Sequence, residues 1–484
     1  MTTIYISAAH GDDANAGTDP GHAWATLSPA NSFAFKPGDA LLLERGSIFS
    51  DQFLHISASG TPEEPICIGA YGDETRPFPA IHANGSGRWF QDYRAPIGGS
   101  PHRNRGEVST ALLLMDCSYI EVRDLEITNR RVDDSDGLVF NARNVMDRTG
   151  VAVIAQDGGT SRHVLLEGLY IHDVDGNVYD KHMANGGIYC MAHFPTDTRR
   201  ITDSVARFDD LSIRDCTVRN VRRWGIAVGY TAYLNFIDRG GLNADGEWNN
   251  TFDYGDGSID DSLIATFGST NIVIEGNTVE DAGGDGITVM YCDRPIVRRN
   301  ISRRAAKDIR SDIYNATEND RVAAAIWPWR CKNALFEYNE AYDTLNAEYG
   351  NGDGQAWDAD FGDGTVYRNN YSSGNSGGSV MFCNEKAVNS HFYHNVAYHD
   401  RLGAIDIPRN PDADIHDNVF ILDESCDPIR NDNDRADGTA HVQHNIFIND
   451  APQERLINWH PHAAHIIWQD NLYVRFANRP SEES

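Results

Sequence analysis

Residues 271–300 read NIVIEGNTVEDAGGDGITVMYCDRPIVRRN. Short runs rich in β-branched residues, such as 271–276 and 286–291, are separated by Gly, Asn and Asp. Such runs are typical of short strands joined by tight turns. Asn277 and Asn300 each close an apolar-x-x-Asn pattern, beginning at Ile274 and Val297. The stretch therefore predicts repeated strand–turn units rather than helices.

The same apolar-x-x-Asn pattern recurs along the C-terminal half of the chain. It closes at Asn277, Asn300, Asn339, Asn370, Asn395, Asn418, Asn445 and Asn471, in steps of 23, 39, 31, 25, 23, 27 and 26 residues. A repeat in the twenties indicates a solenoid, and an Asn at a fixed corner tolerates left-handed backbone and stacks amide on amide. We predict an all-β right-handed parallel β-helix (solenoid) with long loop insertions, in which these asparagines are structural.

The repeat predicts one domain over residues 1–484. Residues 1–108 are predicted to form the N-terminal cap and first coils. Two longer segments, 231–270 and 301–322, interrupt the regular repeat. We interpret them as loop insertions on one side of the solenoid. The first insertion contains Tyr233, Trp248 and Tyr254, which suit either stacking on a sugar or packing within the loop itself.

Composition and charge limit the classes of partner. The formal net charge is −30, which argues against a nucleic-acid partner and weighs against polyanionic sugars, although a local basic groove would overrule the total. No apolar run approaches the roughly 20 residues of a membrane helix. The N-terminus lacks a basic segment followed by an apolar one, which predicts a cytoplasmic protein if Met1 is the native start and a secreted one otherwise.

Eight cysteines occur without a Cys-x-x-Cys pair, which argues against a zinc site or a disulfide framework. Cys292, Cys331 and Cys383 follow three successive predicted strands at similar positions. We predict a ladder of small buried side chains, with a reactive thiol as the alternative. No metal site and no organic cofactor are predicted.

One strand position can be followed from coil to coil. Its inward residues are predicted to be Ile226, Ile287, Ile326, Trp357, Val380 and Ile405. Because side chains alternate along a strand, the outward residues are Thr288 and Met290, Trp327 and Trp329, Asp358 and Asp360, Met381 and Cys383, and Asp406. Neighbouring coils lie about 4.8 Å apart, so two exposed tryptophans are expected beside two exposed aspartates.

This arrangement is typical of a sugar site, because flat aromatic faces hold pyranose rings and paired carboxylates supply acid/base and nucleophilic chemistry. Asp353, in the preceding turn, is expected to reach the same spot as Asp358 and Asp360. Crowded carboxylates do not all ionise easily, so one of them should have a raised pKa and serve as the general acid. A separation of about 5–5.5 Å between the catalytic carboxyls predicts retention, and a wider one predicts inversion.

The outward residues of successive coils, from Thr288 to Asp406, are expected to form a column across the sheet. Other ionisable residues belong to this column or flank it. Asp285, Glu385 and Asp406 are candidates for binding sugar hydroxyls, with turn or cap roles as the alternative. His182 and His193 have no metal-type spacing and are interpreted as ordinary hydrogen-bonding residues.

The carboxylate segment also carries a family resemblance. The stretches 352–360, 367–372 and 377–378, with 5–7, 11–12 and 69–72 near the N-terminus, resemble glycoside hydrolase family 136, the β-helical lacto-N-biosidases. In that family two catalytic aspartates stand seven positions apart, as Asp353 and Asp360 do. The resemblance implies that Asp353 is the acid/base and Asp360 the nucleophile, with Asp358 tuning a pKa or binding a hydroxyl. These roles imply a retaining glycosidase. The net charge favours a neutral oligosaccharide as the substrate, and the strand register predicts that Trp327 and Trp329 form the sugar platform.

Three alternatives stay open. Asp358-x-Asp360-x-x-Asp363 resembles a calcium loop, as does 431–438 more weakly. A polysaccharide lyase or uronate epimerase would need basic residues near the column, for which Arg330 and Lys386 are the obvious candidates. A non-catalytic carbohydrate-binding module on the same scaffold is the third alternative.

Overall fold

The computed structural model describes residues 1–92, 105–131, 146–178, 180–197, 199, 204–231, 258–310, 322–383, 387–408, 412–430, 438–460 and 465–481. These residues form two compact units. The first unit comprises 1–231 and 269–278, and the second comprises 258–268, 279–310 and the described part of 322–481. The single domain over 1–484 stays a prediction. Among the described residues, no helix is long and apolar enough to cross a membrane.

The described residues of the first unit form short strands, one short helix and one turn of 3-10 helix. The helix α1 spans Ser28–Asn31 and the 3-10 turn spans Pro20–His22. The strands are β1 (Thr3–Ile6), β2 (Ala40–Glu44), β3 (Ile48–Ser50), β4 (Leu54–Ile56), β5 (Ile66–Tyr71), β6 (Ala80–His82), β7 (Arg88–Asp92), β8 (Arg105–Met115), β9 (Ile120–Arg123), β10 (Glu126–Asn129), β11 (Asp147–Ala155), β12 (Thr160–Glu167), β13 (Tyr170–Val174), β14 (Gly186–Ala192), β15 (Arg207–Arg214), β16 (Thr217–Val221), β17 (Trp224–Thr231) and β18 (Ser269–Glu275).

These strands form three sheets. Sheet A has the order β1-β2-β5-β9-β12-β15-β18, sheet B the order β3-β6-β10-β13-β16, and sheet C the order β4-β8-β11-β14-β17. Strand β7 pairs antiparallel with β8, whereas pairs such as β8–β11 and β12–β15 are parallel. From β8 onward, consecutive strands enter sheets C, A and B in turn, so each coil adds one rung to every sheet.

The second unit repeats this plan. Its helix α2 spans Asp261–Phe267 and a 3-10 turn spans Ala347–Tyr349. The strands, beginning with one whose first residue belongs to the first unit, are β19 (Thr278–Ala282), β20 (Ile287–Met290), β21 (Cys292–Asp293), β22 (Ile296–Arg298), β23 (Ile301–Arg303), β24 (Ile326–Trp329), β25 (Leu335–Glu337), β26 (Glu340–Tyr342), β27 (Gln355–Asp360), β28 (Val366–Arg368), β29 (Tyr371–Ser373), β30 (Gly378–Cys383), β31 (Ser390–Tyr393), β32 (Val396–Tyr398), β33 (Leu402–Asp406), β34 (Ala413–His416), β35 (Val419–Leu422), β36 (Cys426–Arg430), β37 (Thr439–Gln443), β38 (Ile446–Asn449), β39 (His465–Gln469) and β40 (Leu472–Val474).

Three parallel sheets again enclose the core. Sheet D has the order β22-β25-β28-β31-β34-β37-β39, sheet E the order β19-β23-β26-β29-β32-β35-β38-β40, and sheet F the order β20-β24-β27-β30-β33-β36. Parallel strands that return to the same three sheets coil after coil are the architecture of a parallel β-helix. The predicted fold class is confirmed.

The apolar position of each sequence repeat fills the core of the second unit. In sheet D the residues that share one inward position, and are fully or almost fully buried, are Val297, Phe336, Tyr367, Phe392, Ile415, Val442 and Trp468. The rings of Phe336 and Tyr367 stack with centroids 4.7 Å apart. Burying one such side chain per coil removes apolar surface from water at roughly 25 cal/mol per Å², which favours this register over one shifted by a residue.

The asparagines form the predicted ladder at one corner. The Oδ1 atom of each asparagine accepts a hydrogen bond from the backbone N–H of the ladder asparagine one coil earlier, as from Asn339 to Asn370 (2.9 Å) and from Asn370 to Asn395 (2.9 Å). Its Nδ2 group donates to a backbone carbonyl, as Asn370 does to Phe336 (3.0 Å). The ladder satisfies buried backbone groups where the chain leaves the sheet, and it runs unbroken from Asn300 to Asn471.

One detail of the prediction is wrong. The left-handed backbone does not lie at the ladder asparagines but at the residue before each of them, such as Tyr338 (φ 56°) and His394 (φ 56°). The preceding residue makes the turn, and the asparagine that follows places its buried side chain in the ladder.

The predicted insertion boundaries also need correction. Residues 301–303 form strand β23 within sheet E, so this part of 301–322 belongs to a regular coil. Residues 311–321 and 232–257, with Tyr233, Trp248 and Tyr254, lie outside the described residues. The described end of the first insertion contains α2 and the start of β18.

A second, shorter ladder ends on a buried carboxyl. Asn375 donates through its backbone N–H and Nδ2 to Asp400 Oδ1 (2.9 and 2.8 Å), and Ser372 Oγ donates to Asp400 Oδ2 (2.5 Å). Asp400 thus occupies a position that suits an asparagine. Burial raises the pKa of Asp400 to about 7, although the hydrogen bonds from Ser372 and Asn375 act in the opposite direction.

We expect Asp400→Asn to stabilise the protein above neutral pH. A carboxyl whose pKa is higher in the folded than in the unfolded state destabilises the fold as it ionises, so wild type should lose stability between about pH 4 and pH 7. The variant should gain roughly 1–4 kcal/mol over wild type at pH 8 and little at pH 4. Thermal unfolding midpoints of both proteins across this range measure the difference. An unchanged pH dependence in the variant would contradict the assignment.

Candidate active site

The outward column of sheet F follows the predicted register. Ile326 on β24 pairs with Trp357 on β27, and Trp329 pairs with Asp360. The next strand continues the column, since Asp360 pairs with Cys383. Trp357 and Ile326 are fully buried in the core. Because side chains alternate, Asp358 and Asp360 project from the opposite face of β27.

The aspartates of this column are buried, whereas the sequence predicted them to be exposed. Asp358 is 3% exposed and Asp360 is 7% exposed. Trp327 and Trp329 are half-buried rather than exposed. Alternation fixes which face a side chain occupies, but long neighbouring side chains about 4.8 Å away in the next coils decide how much water reaches it.

Crowding of carboxyls controls the electrostatics of the column. Burial, followed by the negative charges of Asp360, Asp353, Asp406 and Asp285, raises the pKa of Asp358 well above its usual value. Desolvation penalises the ionised form, and each neighbouring negative charge penalises it further. The prediction that one of the crowded carboxyls has a raised pKa is confirmed for Asp358, whereas the role of such a carboxyl as the general acid stays a prediction.

A tight turn holds Asp353 against the strand. Asp353 has a left-handed backbone (φ 59°), and Gly354 follows with φ 92°. Gly354 donates its N–H to the Ala323 carbonyl (3.0 Å). A Cβ atom at Gly377 would lie 2.0 Å from the Asp353 carbonyl oxygen, so the close approach of these two backbones requires glycine there. Asp353 lies near enough for its negative charge to raise the pKa of Asp358, although only Asp358 and Asp360 share a strand.

The aromatic side chains are oriented by specific partners. Trp327 Nε1 donates to Asp285 Oδ1 (3.0 Å), which also accepts from the Ala324 N–H (3.2 Å). Trp329 stacks on Phe361 with ring centroids 4.7 Å apart and lies edge-on to Trp327 at 6.4 Å. Asp285, predicted as a possible hydroxyl ligand, is buried and fixes an indole ring; its contact with a sugar stays a prediction.

Phe361 departs from the expected pattern. Strict alternation from Trp357 through Ala359 would place Phe361 on the inward face, but β27 ends at Asp360 and Phe361 has φ 51°. The reversal of the backbone turns its ring outward onto Trp329. A period-of-two pattern cannot anticipate the residue at which a strand ends.

Asp406 lies in a polar network at the far side of the column. Met381 pairs with Asp406, and Asp406 pairs with Arg430. Asp406 Oδ2 accepts from Gln355 Nε2 (3.2 Å) and lies 3.4 Å from Arg430 Nη1. Sequence reasoning missed Gln355 and Arg430. Arg430 could have been found by following the outward column for one more coil. Gln355 lies two residues before the inward Trp357, so strand alternation assigns it to the core and gives no indication that it contacts Asp406.

Cys383 does not belong to the predicted ladder of buried cysteines. Cys292 and Cys331 are fully buried, but Cys383 is half-buried and is the rung neighbour of Asp360. Left-handed residues at Tyr291 and Arg330 turn the first two cysteines away from the outward face. Donor atoms of Asp358, Asp360 and Cys383 all lie within 4.8 Å of one another. Burial, together with the Asp360, Asp358 and Asp353 carboxylates, raises the pKa of the Cys383 thiol.

Several predicted residues lie elsewhere. Glu385 and Lys386 are outside the described residues. Arg330 is buried. Asp363, which completes the calcium-like spacing, lies 3.6 Å from Lys332 Nζ and accepts from Asn389 Nδ2. The calcium site stays a prediction, and residues 431–437 are outside the described part of the chain.

His182 and His193 belong to the first unit. Gln91 Nε2 donates to the His182 carbonyl (3.1 Å) and lies 3.5 Å from His193 Nε2. Burial lowers the pKa of both imidazoles to about 3, so both are neutral. Both histidines are buried beside Gln91, and their interpretation as ordinary hydrogen-bonding residues stays a prediction.

Comparison with known proteins adds three findings. A family model described as a right-handed beta helix region matches residues 202–311. The chain is 48% identical, along its full length, to a lacto-N-biosidase of Bifidobacterium longum subsp. longum, and it spans 31% of that protein's length. It is also similar to the crystal structure of a glycoside hydrolase family 136 lacto-N-biosidase from Eubacterium ramulus, with 42% identity, a TM-score of 0.82, and coverage of 92% of this chain and 68% of that one. The selenomethionine derivative of that protein gives 39% identity and the same TM-score, covering 98% and 68%.

Proposed function

The chain belongs to glycoside hydrolase family 136, and from this premise we propose that it hydrolyses a glycosidic bond in a neutral oligosaccharide through the carboxyl cluster of β27. The observation that carries the proposal is the convergence of Asp353, Asp358 and Asp360 beside the indoles of Trp327 and Trp329. A two-carboxylate site with an adjoining aromatic surface is what glycoside hydrolysis requires.

Asp360 is the proposed nucleophile. Its carboxylate would attack the anomeric carbon and form a covalent glycosyl-enzyme, with retention after the second displacement. Asp358 supports this role while it is protonated, because a neutral neighbour places one negative charge fewer beside Asp360. The raised pKa of Asp358 therefore favours an ionised Asp360.

Asp353 is the proposed acid/base. It would donate a proton to the departing glycosidic oxygen, and its carboxylate would then accept a proton from the attacking water. The turn that holds Asp353 over β27 places it on a different segment from Asp360. Two carboxyls that approach a substrate from different segments can address different faces of the scissile bond.

The proposed substrate class is an oligosaccharide that carries the disaccharide for which the family 136 lacto-N-biosidases are named. The net charge of −30 supports a neutral sugar. Arg430, a basic residue beside the column, is paired with Asp406, so its charge is offset and the acidic column is unfavourable for uronates. No organic cofactor is part of the proposal.

Trp327→Ala and Trp329→Ala are each expected to raise KM by about tenfold, because losing an aromatic face costs roughly 1–1.5 kcal/mol of binding. The change in kcat should be smaller, since the indoles are proposed to bind the sugar and not to take part in bond cleavage. Steady-state kinetics on one oligosaccharide measures both constants. Tyr393→Ala, which removes a ring stacked on His416 on the outer face of sheet D, is the matched control and should leave KM unchanged.

The proposal is tested by incubating the chain with aryl glycosides, oligosaccharides ending in lacto-N-biose and uronate polymers. Release of a sugar from a neutral oligosaccharide by wild type, with a large loss of this activity in both Asp353→Asn and Asp360→Asn, is the expected result. Unsaturated uronate products with new ultraviolet absorbance would instead establish a lyase. Binding without turnover, abolished by the tryptophan variants, would establish a carbohydrate-binding module.

A further inference from the structure

We propose that Asp358, Asp360 and Cys383 form a binding site for a thiophilic divalent cation, with Zn²⁺ as the fitting ion, and that the occupied site blocks the carboxyl cluster. The inference goes beyond glycoside hydrolysis and does not depend on it, because it rests on the positions of the three donor atoms and not on a reaction.

The geometry of the donors carries the first step. One donor atom from each of the three side chains lies within 4.8 Å of the other two. A tetrahedral zinc ion with Zn–O bonds of about 2.0–2.2 Å and a Zn–S bond of about 2.3 Å places its ligands about 3.4–3.8 Å apart. Small rotations of the side chains bring these donors together, because Asp360 and Cys383 are already rung neighbours on parallel strands.

The second step is an unsatisfied oxygen inside the cluster. Asp358 is only 3% exposed. Its Oδ1 atom accepts no hydrogen bond among the described residues. A buried carboxyl oxygen without a partner is costly. A cation held between Asp358 and Asp360 would satisfy that oxygen and offset the mutual repulsion of the carboxylates.

The ligand types select the ion. Thiolate is a soft ligand that suits zinc and is avoided by calcium and magnesium, which prefer six or more oxygen ligands. Three protein ligands leave a fourth position for water, a common arrangement for zinc. Cys383 is half-buried, so the cluster is open to solvent on that side. Binding would release the thiol proton to solvent, because zinc is bound by the thiolate.

The test is equilibrium binding of Zn²⁺ by titration calorimetry at neutral pH. Wild type should bind one equivalent that Cys383→Ser and Asp358→Asn each weaken by at least about tenfold. Cys67→Ala is the matched control, because Cys67 is the other half-buried cysteine and lies on β5 in the first unit. Ca²⁺ and Mg²⁺ should not compete. Equal affinity in wild type and Cys383→Ser would overturn the proposal, since any remaining zinc would then be bound elsewhere.

A second measurement uses wild type alone and so does not depend on whether a variant folds. The other six cysteines are buried, so prolonged treatment of the native protein with a maleimide should label Cys67 and Cys383. Zn²⁺ should protect Cys383 and leave Cys67 reactive, as mapped by peptide mass spectrometry. Unchanged labelling of Cys383 at saturating Zn²⁺ would overturn the proposal. Neither measurement reads hydrolysis, so a failure here is distinguishable from a failure of the proposed glycosidase.

Discussion

Asp360→Asn is expected to lower kcat/KM on a neutral oligosaccharide by roughly 10⁴-fold or more. An amide of nearly the same shape cannot attack the anomeric carbon, so the loss should fall on kcat while the fold remains intact. Steady-state kinetics with a sensitive sugar assay measures the loss, and thermal unfolding verifies the fold. Asp414→Asn, which changes a half-exposed carboxyl on the outer face of sheet D, should leave the kinetics unchanged.

The stereochemistry of the wild-type reaction distinguishes the role of Asp360. If Asp360 is a nucleophile, proton NMR of the first-formed product should show the anomeric configuration of the substrate. An inverted first product would contradict the nucleophile and make Asp360 a base that activates water. Near-normal activity of Asp360→Asn would remove this residue from the mechanism altogether.

Asp353→Asn is expected to lose about 10²–10⁴-fold in kcat on an oligosaccharide and much less on an aryl glycoside with a good leaving group. An alkoxide leaves slowly without a proton donor, whereas a nitrophenolate leaves without help. Comparison of kcat on the two substrates therefore isolates the acid step. The same comparison with Asp358→Asn is the control, and it should show a loss that is similar for both substrates.

The raised pKa of Asp358 makes this control decisive. If Asp358→Asn, and not Asp353→Asn, shows the leaving-group dependence, the general acid is the residue on the strand rather than the one on the turn. In that case the raised pKa of Asp358 would identify the general acid correctly, and the seven-residue spacing between Asp353 and Asp360 would not.

The register of the site was predictable because β-strand alternation is strict wherever one face is buried. Ile326, Trp357 and Val380 occupy one inward position, and this fixes the outward position of Asp358 and Asp360. The asparagine ladder was predictable for a similar reason, since an amide at a repeated corner has a bonding partner in every coil.

Other features depend on contacts that no local pattern contains. The burial of Asp358 arises from side chains of neighbouring coils, which a single strand does not specify. The outward turn of Phe361 and the inward turn of Cys331 follow from single left-handed residues, Phe361 itself and Arg330. Such residues are not restricted to Gly, Asn and Asp here, so composition does not mark them. The pairing of Asp406 with Gln355 joins residues 51 positions apart.

The asparagine ladder keeps the spacing between neighbouring coils the same whatever number of residues a coil contains. Steps of 23 and 39 residues lead to rung bonds of 2.9 and 3.0 Å, so extra residues do not stretch the corner. The axial rise of a coil is therefore constant, whereas the number of residues in a coil varies. Evolution or an engineer can therefore lengthen a segment between two corners to reshape the rim of the proposed sugar site, while the spacing of the tryptophans and aspartates along the axis stays unchanged.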